Sequence, residues 1–367
     1  MIMAGGTGGH IFPALAVADE LRRRGVPVVW LGSRGKMEAR IVPTHGYELV
    51  ELSISGLRGS DLKTRMLAPM RLLRAVAQAV TVMRRYRPRA VLGMGGFAAG
   101  PGGLAAALLR IPLIIHEQNA IPGMTNRWLA RLATQVFEGF PESFRRVRLN
   151  REVRHTGNPL RSELLALTPA SARLSESRGP LRLFVIGGSL GALKLNQTVP
   201  RALALLPPET RPEVWHQSGE RHLDATRQLY ADAGVAARVD AFLNSMAAPY
   251  TWTDLVLARA GALTIAELAQ CGLPAVLVPY PHAVDDHQTA NAQLLVARGA
   301  AVLIPDIELT PERLAAVLFD LNRDRADLLR MSEASQGLSR PEAAHVIADA
   351  LVGANREIAI KLREVTS

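Results

Sequence analysis

The sequence predicts an α/β protein built from two doubly wound domains, each a parallel sheet flanked by helices. Three observations carry that prediction. Short apolar segments end in glycine turns and lead into amphipathic helices; the same theme returns after Pro180; and 367 residues suffice for two domains of ordinary size. Two similar halves facing one cleft suit an enzyme with two substrates.

The first unit is Met1-Ile-Met-Ala followed by Gly5-Gly-Thr-Gly-Gly-His10 and an amphipathic run from Ile11 with Pro13 in its first turn. This reads as strand, tight turn and helix start. Glycines let the backbone approach a ligand, and N–H groups at a helix start favour anions. The turn is not a dinucleotide fingerprint, because Ile11 stands where the last glycine of G-x-G-x-x-G belongs, nor is it a P-loop, which requires Gly-Lys-Ser/Thr. What it adds is His10. Histidine titrates nearest neutrality and can take a proton from a substrate hydroxyl; the competing reading is a turn whose histidine only caps the backbone.

Further strand segments follow at Val26–Leu31, Arg89–Met94 and Ile111–Ile115, the second leading into Gly95-Gly-Phe-Ala-Ala-Gly-Pro101 and the third into His116-Glu-Gln-Asn119. Between them, Met66, Met70, Leu73, Val76, Val80 and Met83 recur at helical spacing amid Lys63, Arg65, Arg71, Arg74, Arg84, Arg85, Arg87 and Arg89. That pattern is either a surface helix with its apolar face in the core or a basic amphipathic patch for an anionic membrane. The glycine-bearing loop Ser53–Gly59 could present Leu57 and Arg58 to the same surface.

A polar break runs from about Arg151 to Pro180, reading as loop and weak helix. The second half then opens with Leu181–Ile186 and the turn Gly187-Gly-Ser-Leu-Gly-Ala192, with further strands at Glu213–His216, Arg238–Phe242, Asp254–Ala258 and Pro274–Val278. Arg259–Glu267 follows a strand and opens a helix. Backbone N–H groups near Gly261 to Thr264 can take phosphate, and Glu267 can accept both hydroxyls of a ribose or serve as a capping-box glutamate. The loop that follows Val278 clusters His282, Asp285, Asp286, His287, Gln288 and Asn291, a donor and acceptor set suited to a sugar.

Bulk properties narrow the class. Apolar residues make up 48% and charged residues 21%, which marks a globular chain. The single cysteine, Cys271, excludes an internal disulfide and reads as a small buried hydrophobe; with no signal-peptide pattern, this argues for the cytoplasm. No apolar run is long enough to span a bilayer. A net charge of +10 points to an acidic partner, and without helix-turn-helix, zinc or RNA-binding signatures that partner is a phosphorylated metabolite or anionic lipid rather than nucleic acid. Neither D-x-D nor H-E-x-x-H occurs, so a nucleotide diphosphate would be neutralised by helix N-termini and basic side chains such as Arg161 instead of a metal.

Taken in order, Gly5–His10, Gly95–Pro101, His116–Asn119, Gly157-Asn-Pro-Leu-Arg161, Gly187–Ser189, Gly261–Thr264 with Glu267, and His287-Gln288 with Asn291 resemble the MurG family over nearly the whole chain. These are the N-acetylglucosaminyltransferases that complete lipid II in bacterial peptidoglycan synthesis. The resemblance implies a GT-B fold of two Rossmann-like domains whose parallel sheets face an interdomain cleft. It places an acceptor and membrane domain at residues 1–158, completed by a C-terminal helix at 345–367, and a UDP-GlcNAc domain at 159–344. It implies an inverting transfer from UDP-GlcNAc to the C4 hydroxyl of the muramoyl unit of lipid I, with no metal or cofactor. The setting is peripheral, on the cytoplasmic face of the inner membrane, where other cell-wall enzymes are natural partners.

Carried over residue by residue, Thr7, Gly8, Gly9, Asn119, Arg161, Ser189, the backbone near Leu243, Ala262, Leu263, Thr264, Ile265, Ala266, Glu267 and Gln288 resemble the donor-binding set, with His287 and Asn291 as further sugar contacts. His10 and Glu117 fall where acceptor activation is assigned, either of them as base. Phe97 stands where a tyrosine is frequent, Leu190 replaces a polar residue of the second glycine turn, and Ala266 replaces a frequent serine. Only four residues precede Gly5, which suggests a start lying upstream. Rival readings are a UDP-sugar 2-epimerase, a glycolipid synthase with another acceptor, and a nucleotide-sugar-binding regulatory module with a dead site.

Overall fold

The computed structural model describes residues 1–53, 68–175, 179–188 and 191–366. They divide into two compact units, Met1–Arg161 with Pro341–Ser367, and Ser162–Arg340.

In the first unit seven strands lie in the order β3-β2-β1-β4-β5-β6-β7, where β1 is Ile2–Met3, β2 Val29–Ser33, β3 Glu48–Leu52, β4 Val91–Gly93, β5 Leu113–Glu117, β6 Gln135–Glu138 and β7 Val153–His155. All neighbours pair in parallel, so the loops after β1, β4 and β5 emerge side by side at the carboxyl end of the sheet's centre. Alternation divides the core between the two faces. Ile2, Trp30, Leu92 and Ile114 pack with Ile11 and Leu15 of the Gly8–Arg23 helix and with Ile347, Ala348 and Leu351 of the C-terminal Ala343–Thr366 helix. Met3, Leu31, Val91 and Ile115 face the opposite way, against Ala79, Met83, Ala99 and Leu129. The returning helix is also held by Arg24, which donates to Glu20 and Asp349 at 2.6 Å each.

The second unit repeats the plan with six strands in the order β10-β9-β8-β11-β12-β13: β8 Arg182–Ile186, β9 Glu213–Gln217, β10 Arg238–Asp240, β11 Leu255–Ala258, β12 Ala275–Leu277 and β13 Ala301–Leu303. Every pair is again parallel. Beneath the sheet Asp254 is fully buried among Arg173, Arg182 and Arg325, at 3.4, 2.9 and 3.5 Å.

Several boundaries differ from the sequence reading. β2 begins at Val29 rather than Val26, because Pro27 has no N–H to give a neighbouring strand. β5 continues through His116 and Glu117, placing both on the strand instead of in the turn after it. β10 stops at Asp240, and Phe242 lies exposed beyond it. The basic segment does form a helix, Ala68–Tyr86, but its buried face is Ala75, Ala79 and Met83, while Met70 and Leu73 are about 70% exposed, at 68% and 70%. The upstream part of that segment, including Met66, and the loop from Ile54 to Gly59 lie outside the described residues. Among the described residues no helix is long and apolar enough to cross a membrane.

Candidate active site

The opening turn puts Thr7 at the N-cap of the Gly8–Arg23 helix, in extended conformation, with its carbonyl accepting from the N–H groups of His10 and Ile11 at 3.1 and 3.2 Å. Gly8 and Gly9 are therefore the first helical residues, whose N–H groups have no acceptor within the helix. His10 sits one residue on, half-buried, with its ring against the turn that follows β4. Gly95 has φ +101°, and a Cβ there would lie 2.8 Å from His10 Cε1; one at Gly96, φ +88°, would lie 2.4 Å from the Gly5 carbonyl oxygen. The paired glycines after β4 are thus what lets the two turns touch. One N–H of the opening turn is already engaged: Gly6 donates to Glu38 Oε2 at 2.9 Å, and the same buried carboxylate takes Ser33 N at 2.9 Å. At that position the anion is the chain's own, where the sequence reading supplied a ligand.

The end of β5 delivers the other half of this cluster. His10 Nδ1 lies 2.8 Å from Gln118 Oε1, Gln118 Nε2 lies 3.1 Å from His116 Nδ1, and His116 Nε2 lies 3.0 Å from the Gly157 carbonyl oxygen. His116 is fully buried, and that burial lowers its pKa to about 4, so it is neutral. Glu117 is 1% exposed, and its carboxylate accepts four hydrogen bonds: from Asn119 N (2.9 Å), Asn119 Nδ2 (3.2 Å), Gly123 N (3.1 Å) and Asn126 Nδ2 (2.9 Å). Glu117 therefore shapes the turn from Asn119 to Asn126 and does not orient His10, whose ring partner is Gln118. Arg161 closes the first unit with its guanidinium 4.4 Å over the Phe12 ring, on the same helix as His10. Phe97 is exposed in the glycine turn after β4.

In the second unit the strand ends again gather the candidates. Leu243 lies in the loop after β10, and Ala262 through Glu267 are the first six residues of the Ala262–Cys271 helix, capped by Gly261 after β11. Glu267 is too far into that helix to cap it, which removes the capping-box alternative. Buried at its sixth position, Glu267 accepts from the Tyr250 hydroxyl at 2.9 Å. Gln288, in the first turn of the His287–Val296 helix, takes Tyr280 N at 2.9 Å, while buried Asn291 donates to the Ala260 carbonyl at 3.1 Å. Asp286 is occupied locally by the Thr289 hydroxyl at 2.7 Å. Arg259 fastens these loops by donating to the Val278 and Pro279 carbonyls and to Asp306 at 2.6 Å. Ser189 lies outside the described residues. Cys271 is buried, its thiol pushed up to about 12 by that burial, and unreactive. No group of three or more metal-ligating side chains occurs among the described residues.

Residues 1–138 match the glycosyltransferase family 28 N-terminal domain, and residues 182–347 match its C-terminal domain. A protein of Alkalilimnicola ehrlichii named UDP-N-acetylglucosamine–N-acetylmuramyl-(pentapeptide) pyrophosphoryl-undecaprenol N-acetylglucosamine transferase is 55% identical over 95% of this chain and 96% of its own length. The crystal structure of Acinetobacter baumannii MurG superposes with a TM-score of 0.83 at 39% identity, covering 96% of this chain and 98% of that one. The chain belongs to the MurG family. The Neisseria meningitidis UDP-GlcNAc 2-epimerase, at 12% identity and a TM-score of 0.67, shares the fold alone. This MurG-family chain is a GT-B glycosyltransferase with one parallel sheet in each unit. Sequence reasoning passed over Gln118, Glu38 and Tyr250. The run His116–Asn119 did signal the first of these, but only the fold carries the end of β5 to the first helix.

Proposed function

We propose that this chain transfers N-acetylglucosamine from UDP-GlcNAc to the C4 hydroxyl of the N-acetylmuramoyl unit of lipid I, forming lipid II with inversion and without a metal. The supporting observation is near-full-length identity of 55% to a relative bearing that activity in its name. In this reading His10 takes the proton of the C4 hydroxyl as its oxygen attacks the anomeric carbon, and the bond to the diphosphate breaks with its electron pair leaving on UDP. Thr7, Gly8, Gly9, Asn119 and Arg161 from the first unit, and Ser189, Leu243, Ala262–Glu267 and Gln288 from the second, bind the donor. Incubation with UDP-GlcNAc and a lipid I analogue in the presence of a chelator should release UDP and yield the disaccharide. Epimerised UDP-sugar with no disaccharide would overturn the reading.

The Glu267 carboxylate, already oriented by Tyr250, takes the ribose hydroxyls. Glu267→Ala should weaken donor binding in calorimetry by about 1 to 3 kcal/mol, the cost of leaving buried hydroxyls without an acceptor. Tyr250→Phe, which keeps the carboxylate, should lose much less. Equal donor affinity in wild type and Glu267→Ala would reduce Glu267 to an anchor for Tyr250.

Residence at the cytoplasmic face of the inner membrane rests in this reading on the Ala68–Tyr86 helix. Its exposed Met70, Leu72 and Leu73 stand among exposed Arg71 and Arg74, and it packs on the Ala99–Leu108 helix, which in turn contacts the helix bearing exposed Met124 and Trp128. Each basic residue near an anionic surface contributes about 1 kcal/mol, screened within a Debye length of about 3 Å at 1 M salt. Binding to vesicles containing anionic lipid should fall steeply between 0.1 and roughly 1 M salt. Equal binding to neutral vesicles would make the patch ordinary surface.

A further inference from the structure

We propose that Gln118, backed by His116, is a positioning residue that fixes the tautomer of His10 and leaves its Nε2 as the proton acceptor. The inference rests on reading His10 as the base. The order of donors follows from the far end of the chain of contacts. A backbone carbonyl can only accept, so His116 Nε2, 3.0 Å from Gly157 O, carries the hydrogen. His116 is buried and neutral, so its Nδ1 holds a lone pair. The group facing that lone pair at 3.1 Å must donate, which makes it the amide nitrogen of Gln118. The amide cannot be turned round, because the same nitrogen also lies 3.2 Å from the His116 carbonyl, a second acceptor. Its oxygen is therefore the atom 2.8 Å from His10 Nδ1, and an amide oxygen can only accept. His10 Nδ1 carries the hydrogen, and Nε2 of the neutral ring keeps its lone pair.

The arrangement does with a neutral amide what a carboxylate does for the histidine of a catalytic triad: it selects the tautomer and holds the plane of the ring. It adds no negative charge beside the imidazole. The Gln118 backbone is itself pinned, its carbonyl accepting from buried Asn158 at 3.0 Å, and Gly95 has no side chain to crowd the ring of His10.

The test reads the tautomer directly. Two-bond ¹H–¹⁵N correlation spectra of protein labelled at its nine histidines, with His10 assigned by its loss in His10→Ala, should show neutral His10 protonated at Nδ1. In Gln118→Leu the His10 signals should move toward the Nε2–H form and kcat should fall about 10- to 100-fold, a typical loss when an outer-shell hydrogen-bond partner is removed. The donor KM should stay unchanged, and Gln118→Leu should add nothing in a His10→Ala background. A wild-type spectrum showing His10 protonated at Nε2 overturns the proposal without any variant. So does a Gln118→Leu protein with wild-type tautomer and rate. If His10→Ala keeps its rate while wild-type His10 carries the Nδ1 hydrogen, the reading of His10 as base fails, and the catalytic role of Gln118 fails with it.

Discussion

His10→Ala is expected to lower kcat by about 10²- to 10⁴-fold, the usual contribution of a positioned base, while donor affinity stays nearly intact. The variant removes the imidazole and nothing that holds the fold, since the ring is half-buried and makes its hydrogen bond to Gln118 alone among the described residues. The acidic limb of the rate profile should vanish with it. Stopped-flow or coupled UDP-release assays across pH, beside calorimetry of UDP-GlcNAc binding, check both halves of the statement. A variant that keeps the limb and most of its rate would transfer the role elsewhere.

The obvious recipient is Glu117, and its surroundings give a different expectation. Four donors converge on its buried carboxylate. Glu117→Ala takes that acceptor away from all four, so the first unit should lose about 1 to 3 kcal/mol, the cost of removing one partner of buried hydrogen bonds. Urea unfolding followed by tryptophan fluorescence measures this. Glu117→Gln keeps an acceptor oxygen and should cost less. Any loss of activity in Glu117→Ala should follow its loss of structure and be partly recovered at lower temperature. Wild-type stability together with a vanished acidic limb would instead make Glu117 the base.

The fold was legible in most of its interior strands. β1, β4, β5, β8, β11 and β12 are short apolar runs ending at glycine or polar turns, as strands covered on both faces must be. β3, β7 and β13 escaped as edges: Glu48-Leu-Val-Glu-Leu52 mixes charge with apolar residues, and Val153-Arg-His155 is two half-buried residues around an exposed arginine. β6, Gln135-Val-Phe-Glu138, hid its apolar core between two polar ends. At the site, the glycine turns and the His116–Asn119 run marked loops that the fold of the first unit brings together. What side chains do at those loops was not legible, because Gln118 reaches His10 across 108 positions of sequence and Tyr250 reaches Glu267 from a different helix. Spacing reports neighbours along one element, and these pairs are neighbours only through the sheet.

Glu38 changes how the two glycine turns compare. The turns at Gly5 and Gly187 look alike in sequence and stand at equivalent points of two like sheets. The first already holds a carboxylate at Gly6, so a second anion brought there meets repulsion at short range as well as a backbone donor already spent. A duplicated nucleotide fold faces an ambiguity that a single one does not, since either copy could accept the diphosphate. In the first copy the Gly6 donor is closed by Glu38, which also takes Ser33 N on β2, so that corner of the turn is tied to the neighbouring strand and not offered to a ligand.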